Sequence, residues 1–121
     1  ASPADTALRE AQEEVGLDRA FVEVLGTLPT YVTGSSFIIT PVVALVQPDC
    51  VLQPNPYEVA DLFEVPLAFL LDPAHHRRHV FDRDGVHREW FSMPYEQGGK
   101  THFIWGATAG MLRNFYRFMQ A

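Results

Sequence analysis

An amphipathic segment near the start of the chain constrains the fold more than any other feature. Its apolar residues recur at spacings of three and four, which is the repeat of one helix face: Leu8, Ala11 and Val15. Gly16 follows directly and can adopt the left-handed conformation in which many helices end. The pattern predicts a helix over residues 5–15, capped at its start by Asp5 or Thr6.

The segments after this helix are rich in β-branched residues. Residues 21–28 and 37–46 each predict a strand, and the Thr-Gly-Ser-Ser run at 33–36 predicts the turn between two antiparallel neighbours. A loop with three prolines follows, and residues 59–65 then predict a further strand.

The last part of the chain predicts both helices and a hairpin. Pro66 can open a short helix over residues 67–71, and the turn at Asp84-Gly85 predicts a hairpin with strands at 79–81 and 86–92. Apolar spacing over residues 105–119 predicts a closing helix. Because strands and helices do not alternate regularly, we expect an α/β or α+β fold with helices packed on a mixed sheet.

Composition limits the class of protein. A chain of 121 residues, 47% of them hydrophobic, is expected to form one domain over residues 1–121. A formal net charge of -6 disfavours broad binding to nucleic acid or to anionic membranes, which requires a cationic surface. The longest apolar stretch is too short to span a bilayer. The single cysteine, Cys50, indicates a reducing compartment, and we therefore expect a cytoplasmic protein.

Three carboxylates on the first helix carry the most chemical information. Glu10, Glu13 and Glu14 stand at positions i, i+3 and i+4 and therefore share one face. They repel one another unless a cation lies among them, and Mg²⁺ binds carboxylates together with substrate phosphates. The spacing predicts a metal site, and a solvated acidic face is the alternative. Arg9 lies four residues before Glu13 and can orient it or a neighbouring acid.

Residues 9–17 resemble the second half of the Nudix box. They read Arg-Glu-Ala-Gln-Glu-Glu-Val-Gly-Leu, and every fixed position of that half is met. The resemblance implies a Nudix hydrolase, a metal-dependent pyrophosphohydrolase with an α/β/α sandwich around a mixed sheet. The glycine-rich first half of the box is absent from this sequence, and Ala1 stands where the general pattern has another acid. We therefore expect a domain truncated at its amino terminus, which can be inactive as it stands.

Three later segments resemble bacterial members of the coenzyme A pyrophosphatase branch: residues 39–43, 58–67 and 105–109. The resemblance implies cleavage of coenzyme A or its derivatives to phosphopantetheine and adenosine 3′,5′-bisphosphate, with Mg²⁺ or Mn²⁺ as cofactor. Two alternatives stay open. One is another nucleoside diphosphate derivative or nucleotide, such as NADH, ADP-ribose or a nucleoside triphosphate, and the other is a non-catalytic Nudix-like binding module. A homodimer is also open, since relatives often dimerise.

The resemblance also implies roles for individual residues. Glu10, Glu13 and Glu14 are expected to be metal ligands, and Glu13 and Arg9 to take part in catalysis, with Arg9 supporting the carboxylates. Glu58 follows the proline-rich loop, where related hydrolases often place an extra metal ligand or a water-activating acid. Its alternative is an ordinary carboxylate at the edge of a loop.

Histidines and aromatic residues in the last third of the chain are further candidates for metal-binding or substrate-binding groups. The three histidines at 75, 76 and 79 lack the partners of a tetrahedral metal site, so we expect a solvated basic loop that they share with Arg77 and Arg78. Its arginines can attract a phosphate. The large aromatic residues are interpreted as core rather than as base-stacking groups: Trp90, Phe91, Phe103 and Trp105.

Overall fold

The computed structural model describes residues 2–120. Its backbone contacts separate into two compact units, one extending through Phe63 and the other beginning at Glu64. A single domain over residues 1–121 stays a prediction.

The first unit opens with helix α1, Pro3–Val15. Its cap is Ser2, whose Oγ accepts a hydrogen bond of 3.1 Å from the Asp5 amide. The predicted cap at Asp5 or Thr6 was therefore wrong, because a serine followed by proline at the first helical position starts the helix earlier. Hydrogen bonds from Ser2, and then the charge of Arg19, lower the pKa of the Asp5 carboxyl. Because the pKa of Asp5 in the folded protein lies below its ordinary value, the ionised carboxyl stabilises the fold at pH values above that ordinary pKa. This stabilisation is lost as the pH falls through the pKa of the folded state.

Gly16 ends α1, as predicted. Its φ is 70°, and its amide donates to the carbonyls of Ala11 and Gln12. A Cβ at this position would also lie 3.1 Å from the backbone nitrogen of Gln53, which crosses close to the helix end. Glycine is therefore required here both for its conformation and for the approach of a second segment.

Four strands follow in the first unit: β1 Val22–Thr27, β2 Tyr31–Val32, β3 Ile38–Ile39 and β4 Val42–Val46. The β1 strand pairs antiparallel with β4, as predicted, and β2 pairs antiparallel with β3. The single strand predicted over residues 37–46 is interrupted at Thr40 and Pro41, since proline lacks the amide that continues a ladder. The β4 strand contacts α1.

The strand predicted over residues 59–65 is absent from the described structure, where this segment is irregular. The Val59 amide instead donates to the carbonyl of Asn55 over 2.8 Å, which closes a turn. The apolar composition of this segment favours a strand, but the Val59 amide is used in the turn. No strand pairs with residues 59–65 within residues 2–120.

The second unit is a three-stranded antiparallel sheet with a helix on it. Its elements are α2 Leu67–Leu70, β5 Arg77–Arg83, β6 Val86–Gln97, β7 Lys100–Trp105 and α3 Gly106–Gln120. The strand order is β5-β6-β7. The predicted short helix, hairpin and closing helix are confirmed, and the hairpin strands are longer than predicted.

Small residues bring α3 close to this sheet. Ala109 and Gly110 are buried, and α3 contacts β6 and β7. Met93 on β6 is completely buried. The predicted apolar face of the helix is only partly covered, because Leu112 and Phe115 are half-buried whereas Met119 is 54% exposed.

The α/β class is confirmed. All strand pairs in residues 2–120 are antiparallel, so the parallel pairs that the expected mixed sheet requires do not occur within that range. None of the helices in the described part of the chain combines the length and the apolar character needed to cross a membrane.

The close approach at Gly16 yields a test of this packing. We predict that Gly16→Ala lowers the free energy of unfolding by more than the ~1–2 kcal/mol that left-handed backbone alone costs an alanine, because its Cβ also presses on the Gln53 backbone. Gly98→Ala is the control, since Gly98 has a φ of 60° and nothing within 4 Å of an added Cβ. Urea unfolding measures both variants. Equal losses would show that the contact with Gln53 contributes nothing.

Candidate functional site

Three exposed carboxylates form one face of α1. Because α1 is continuous from Pro3 to Val15, Glu10, Glu13 and Glu14 lie on neighbouring turns, with their side chains in solvent. We call these three residues the acidic face. The opposite side of the helix carries the half-buried apolar residues: Leu8, Ala11 and Val15.

Arg9 contacts this face at one point. Its Nη2 lies 3.6 Å from Oε1 of Glu10, and the two side chains are 60% and 51% exposed. An ion pair this exposed contributes little to stability, but it does place a guanidinium beside one carboxylate. Arg9 thus contacts the neighbouring acid Glu10 in this structure rather than Glu13.

The donor chemistry of the acidic face fits a hard divalent cation. Carboxylate oxygens are the ligands that Mg²⁺ and Mn²⁺ prefer. In residues 2–120 no three His, Cys, Asp or Glu side chains are gathered so as to hold a metal ion by themselves. Mg²⁺ is commonly held by one or two carboxylates, with water and substrate phosphates completing its shell. The acidic face can supply one or two carboxylate ligands without any further protein ligand.

The loop after β4 is tied to the carboxyl end of α1. The Gln53 amide donates to the carbonyl of Val15 over 2.7 Å, and the Asn55 amide donates to the carbonyl of Glu14 over 2.7 Å. Carbonyls in the last turn of a helix have no partner within the helix, so the loop satisfies two of them. This loop is thereby fixed beside the last residue of the acidic face.

Asn55 also closes the turn that carries Glu58. Its carbonyl accepts from the Glu58 amide over 3.1 Å, and its side-chain Oδ1 accepts from the Tyr57 amide over 3.0 Å. Two backbone hydrogen bonds through one residue therefore join Glu14 to Glu58. The structure brings the turn bearing Glu58 to the end of the acidic helix, although Glu14 and Glu58 lie far apart in the sequence.

Asn55 is a residue of this site that the sequence motifs do not indicate. The available sign was its place between Pro54 and Pro56, because asparagine readily accepts from an amide two residues ahead and proline restricts the backbone on either side. The prolines had been interpreted only as marks of a loop.

A shallow open groove runs along the amino-terminal half of α1. It is lined by six residues from α1 and from β3 and the residue after it: Pro3, Thr6, Ala7, Ile38, Ile39 and Thr40. Ala7 lies three residues before Glu10, which places the two on the same side of the helix. The groove and the acidic face are therefore neighbouring surfaces of the first unit.

In the second unit the predicted solvated basic loop was wrong. The histidines are half-buried, and each makes a ring-nitrogen hydrogen bond: His75 Nδ1 to the Phe69 carbonyl at 3.0 Å, His76 Nε2 to the Leu70 carbonyl at 2.6 Å, and His79 Nε2 to Ser92 Oγ at 2.6 Å. These bonds fold the segment onto α2 and β6. They give the three histidines structural roles.

Arginines of the second unit are used in different ways. Arg77 and Arg78 are exposed on β5, and Arg78 forms an ion pair with Glu89. Arg113 on α3 was not singled out by the sequence. Its guanidinium lies 5.1 Å from the ring centre of Phe91, and its Nη1 lies 3.2 Å from Nδ1 of His76, so it holds the helix to the sheet.

The core interpretation of the aromatic residues was wrong for three of the four. Trp90, Phe103 and Trp105 are 39%, 58% and 63% exposed. Phe91 alone is half-buried, beneath Arg113. Alternation along β6 and β7 places side chains on both faces of a sheet, and α3 covers only part of it.

Comparison with known proteins shows the family of this chain. The NUDIX domain family profile matches residues 1–98. Proteins named uncharacterized Nudix hydrolase NudL from Escherichia coli strain K12, E. coli O1:K1 / APEC and Shigella boydii serotype 18 are each 40% identical to this chain over 114 residues. The alignment covers 93% of this chain and 57% of each relative, so the chain spans little more than half their length.

The family profile extends over the whole first unit and into the second, and it includes α1 and the loop bonded to its end. The resemblance seen in residues 9–17 is therefore confirmed at the level of the superfamily, and the chain belongs to the Nudix domain family.

Proposed function

We propose that the protein hydrolyses the diphosphate linkage of coenzyme A or a derivative, with Mg²⁺ or Mn²⁺, to give phosphopantetheine and adenosine 3′,5′-bisphosphate. One observation carries the hydrolytic part of this proposal: a single helix presents three carboxylates on one exposed face, and a fourth, Glu58, lies in a turn bonded to the end of that helix. The choice of coenzyme A is supported by the resemblance of residues 39–43, 58–67 and 105–109 to that branch.

The acidic face would hold the cation. A bound divalent cation neutralises phosphate oxygens and makes an attacking water more acidic. Arg9 lies beside the Glu10 carboxylate and would orient it toward the cation. Glu13 and Glu14 supply oxygen donors from the adjacent positions of the helix. Because all these groups are fixed to one rigid helix, binding the diphosphate beside them requires little rearrangement of the chain.

Glu58 is the proposed general base. Its carboxylate would accept a proton from water as the water oxygen forms a bond to phosphorus and the bond from phosphorus to the bridging oxygen breaks. The leaving phosphate departs with the electron pair of that bond. Glu58 is exposed, so substrate and water can reach it. Its turn is bonded to the carboxyl end of α1, and this supports the proposal because Glu58 and the acidic face belong to the same unit.

The groove beside the acidic face suits an uncharged part of the substrate. Its lining is apolar apart from two threonines, and no acidic or basic side chain contributes to it. Such a surface can contact the pantetheine arm or a nucleobase, while the diphosphate lies at the carboxylates.

The second candidate is a different nucleotide substrate. The acidic helix would serve NADH, ADP-ribose or a nucleoside triphosphate equally well, because the helix supplies the chemistry and the surrounding loops select the substrate. A non-catalytic binding module is the remaining alternative. We also propose a reducing compartment such as the cytoplasm, on the evidence of the single cysteine.

Substrate preference tests the choice of coenzyme A. We expect the full-length protein to cleave coenzyme A with a kcat/KM at least ~10-fold above that for NADH, ADP-ribose or dGTP, a difference of about 1.4 kcal/mol in transition-state binding. Chelation of the metal should abolish the reaction. Preference for another substrate would support the second candidate, and binding without cleavage would support the binding module.

Glu14→Gln tests the acidic face. We predict a loss of metal-dependent turnover of ~100-fold or more, because the change removes one anionic oxygen donor for the cation. The fold should persist, since a charge is deleted from a repulsive cluster. Turnover and the thermal unfolding midpoint are measured together, with Glu23→Gln on β1 as the control for an exposed carboxylate elsewhere in the unit. Unchanged turnover in Glu14→Gln would refute the metal assignment.

Glu58→Gln separates the base from the metal ligands. We predict a fall in kcat of ~100-fold or more, with KM changed by less than ~3-fold, because general-base catalysis acts in the transition state. The affinity for Mn²⁺ should stay close to that of the unchanged protein. A normal kcat would show that Glu58 is an ordinary carboxylate at a loop edge.

A further inference from the structure

We propose that Asn55 is a positioning residue that fixes Glu58 relative to the acidic face. This inference rests on the proposed function of Glu58 as the base. One residue bonds both to the helix that carries Glu14 and to the turn that carries Glu58. No part of the resemblance in the sequence assigned a role to this asparagine.

Two backbone hydrogen bonds anchor the Asn55 loop to the end of α1. The Asn55 amide reaches the carbonyl of Glu14 at 2.7 Å, and the Gln53 amide reaches that of Val15 at the same distance. Two short bonds to consecutive carbonyls hold the direction of the loop as well as its position. Pro54 lies between the two donors and fixes its own φ, which restricts the segment further.

Hydrogen bonds to Asn55 also close the turn that carries Glu58. Three acceptor contacts on Asn55 close it: its carbonyl accepts from the amides of Glu58 and Val59, and its Oδ1 accepts from that of Tyr57. The Tyr57 side chain is 96% exposed and therefore does not pack against the turn. Hydrogen bonds to a single residue thus close the turn that carries Glu58.

The turn also requires the side chain of Asn55. The backbone bonds of position 55 are available to most residues, whereas the bond to the Tyr57 amide needs a short side chain with an oxygen acceptor. Alanine at this position leaves that amide without its partner. The turn then opens more often, and a shift of ~1 Å at a catalytic group can slow a reaction by up to ~100-fold.

The test is a double-mutant cycle between positions 55 and 58. We expect Asn55→Ala to lower kcat by ~10-fold with KM nearly unchanged, and Asn55→Ser, which keeps a weaker acceptor, to recover most of the loss. In a Glu58→Gln background the Asn55→Ala change should have an effect below ~2-fold, since the group it positions is already missing.

A readout independent of turnover accompanies the cycle. Hydrogen exchange at the Tyr57 amide should be faster in Asn55→Ala than in Asn55→Ser, because only the serine retains an acceptor. Affinity for Mn²⁺ should be equal in both variants, since neither change touches the acidic face.

The outcomes separate the two proposals. If Asn55→Ala slows the Glu58→Gln variant by the same factor as the unchanged protein, Asn55 does not act through Glu58 and the inference is overturned. If Glu58→Gln alone leaves kcat unchanged, the role of Glu58 fails and the positioning role fails with it. If the unchanged protein cleaves no diphosphate substrate, the rate of hydrogen exchange at the Tyr57 amide is the remaining test. An exchange rate in Asn55→Ala equal to that of the unchanged protein would then overturn the claim that Asn55 closes the turn.

Discussion

The carboxyl end of α1 joins the main parts of the first unit. Amides of Gln53 and Asn55 bond to two helix carbonyls there, and Gly16 turns the chain away in a left-handed conformation that leaves room for the crossing segment. Each of these hydrogen bonds contributes on the order of 1 kcal/mol. Leaving the carbonyls without partners would cost more where they are shielded from water, so the loop and the helix end stabilise one another.

This junction connects stability to the proposed chemistry. The acidic face lies on the same helix whose end binds the loop. Asn55 bonds both to that helix end and to the turn that carries Glu58. The ion pair between Arg9 and Glu10 is exposed and adds little energy, so order at the site comes from the backbone rather than from surface charge. The carboxylates themselves favour a bound cation because they repel one another in its absence.

Local patterns predicted the elements that depend on local rules. Periodicity gave α1, and its end at Gly16 followed from the left-handed preference of glycine; turn residues gave the hairpin of β5 and β6. The acidic face followed from spacing along one helix. The cap at Ser2 was missed because two later polar residues also fit the pattern for a cap.

Features that depend on distant partners were not predictable in this way. Residues 59–65 have the composition of a strand, but no strand pairs with them in the described part of the chain and the Val59 amide is used in a turn. The histidines looked like a solvated loop, since nothing in their spacing shows that His75 and His76 bind carbonyls of α2. Asn55 was missed for the same reason: its importance lies in reaching Glu14, which is far away in the sequence.

The most direct test of this account asks whether a cation binds at the acidic face with the Glu58 turn close beside it. Mn²⁺ added to isotope-labelled protein broadens the NMR signals of nearby amides. The account predicts selective loss of the signals of Glu13, Glu14 and Glu58 at the lowest Mn²⁺ concentrations. Broadening spread over the exposed carboxylates of both units, or confined to residues away from α1, would contradict it.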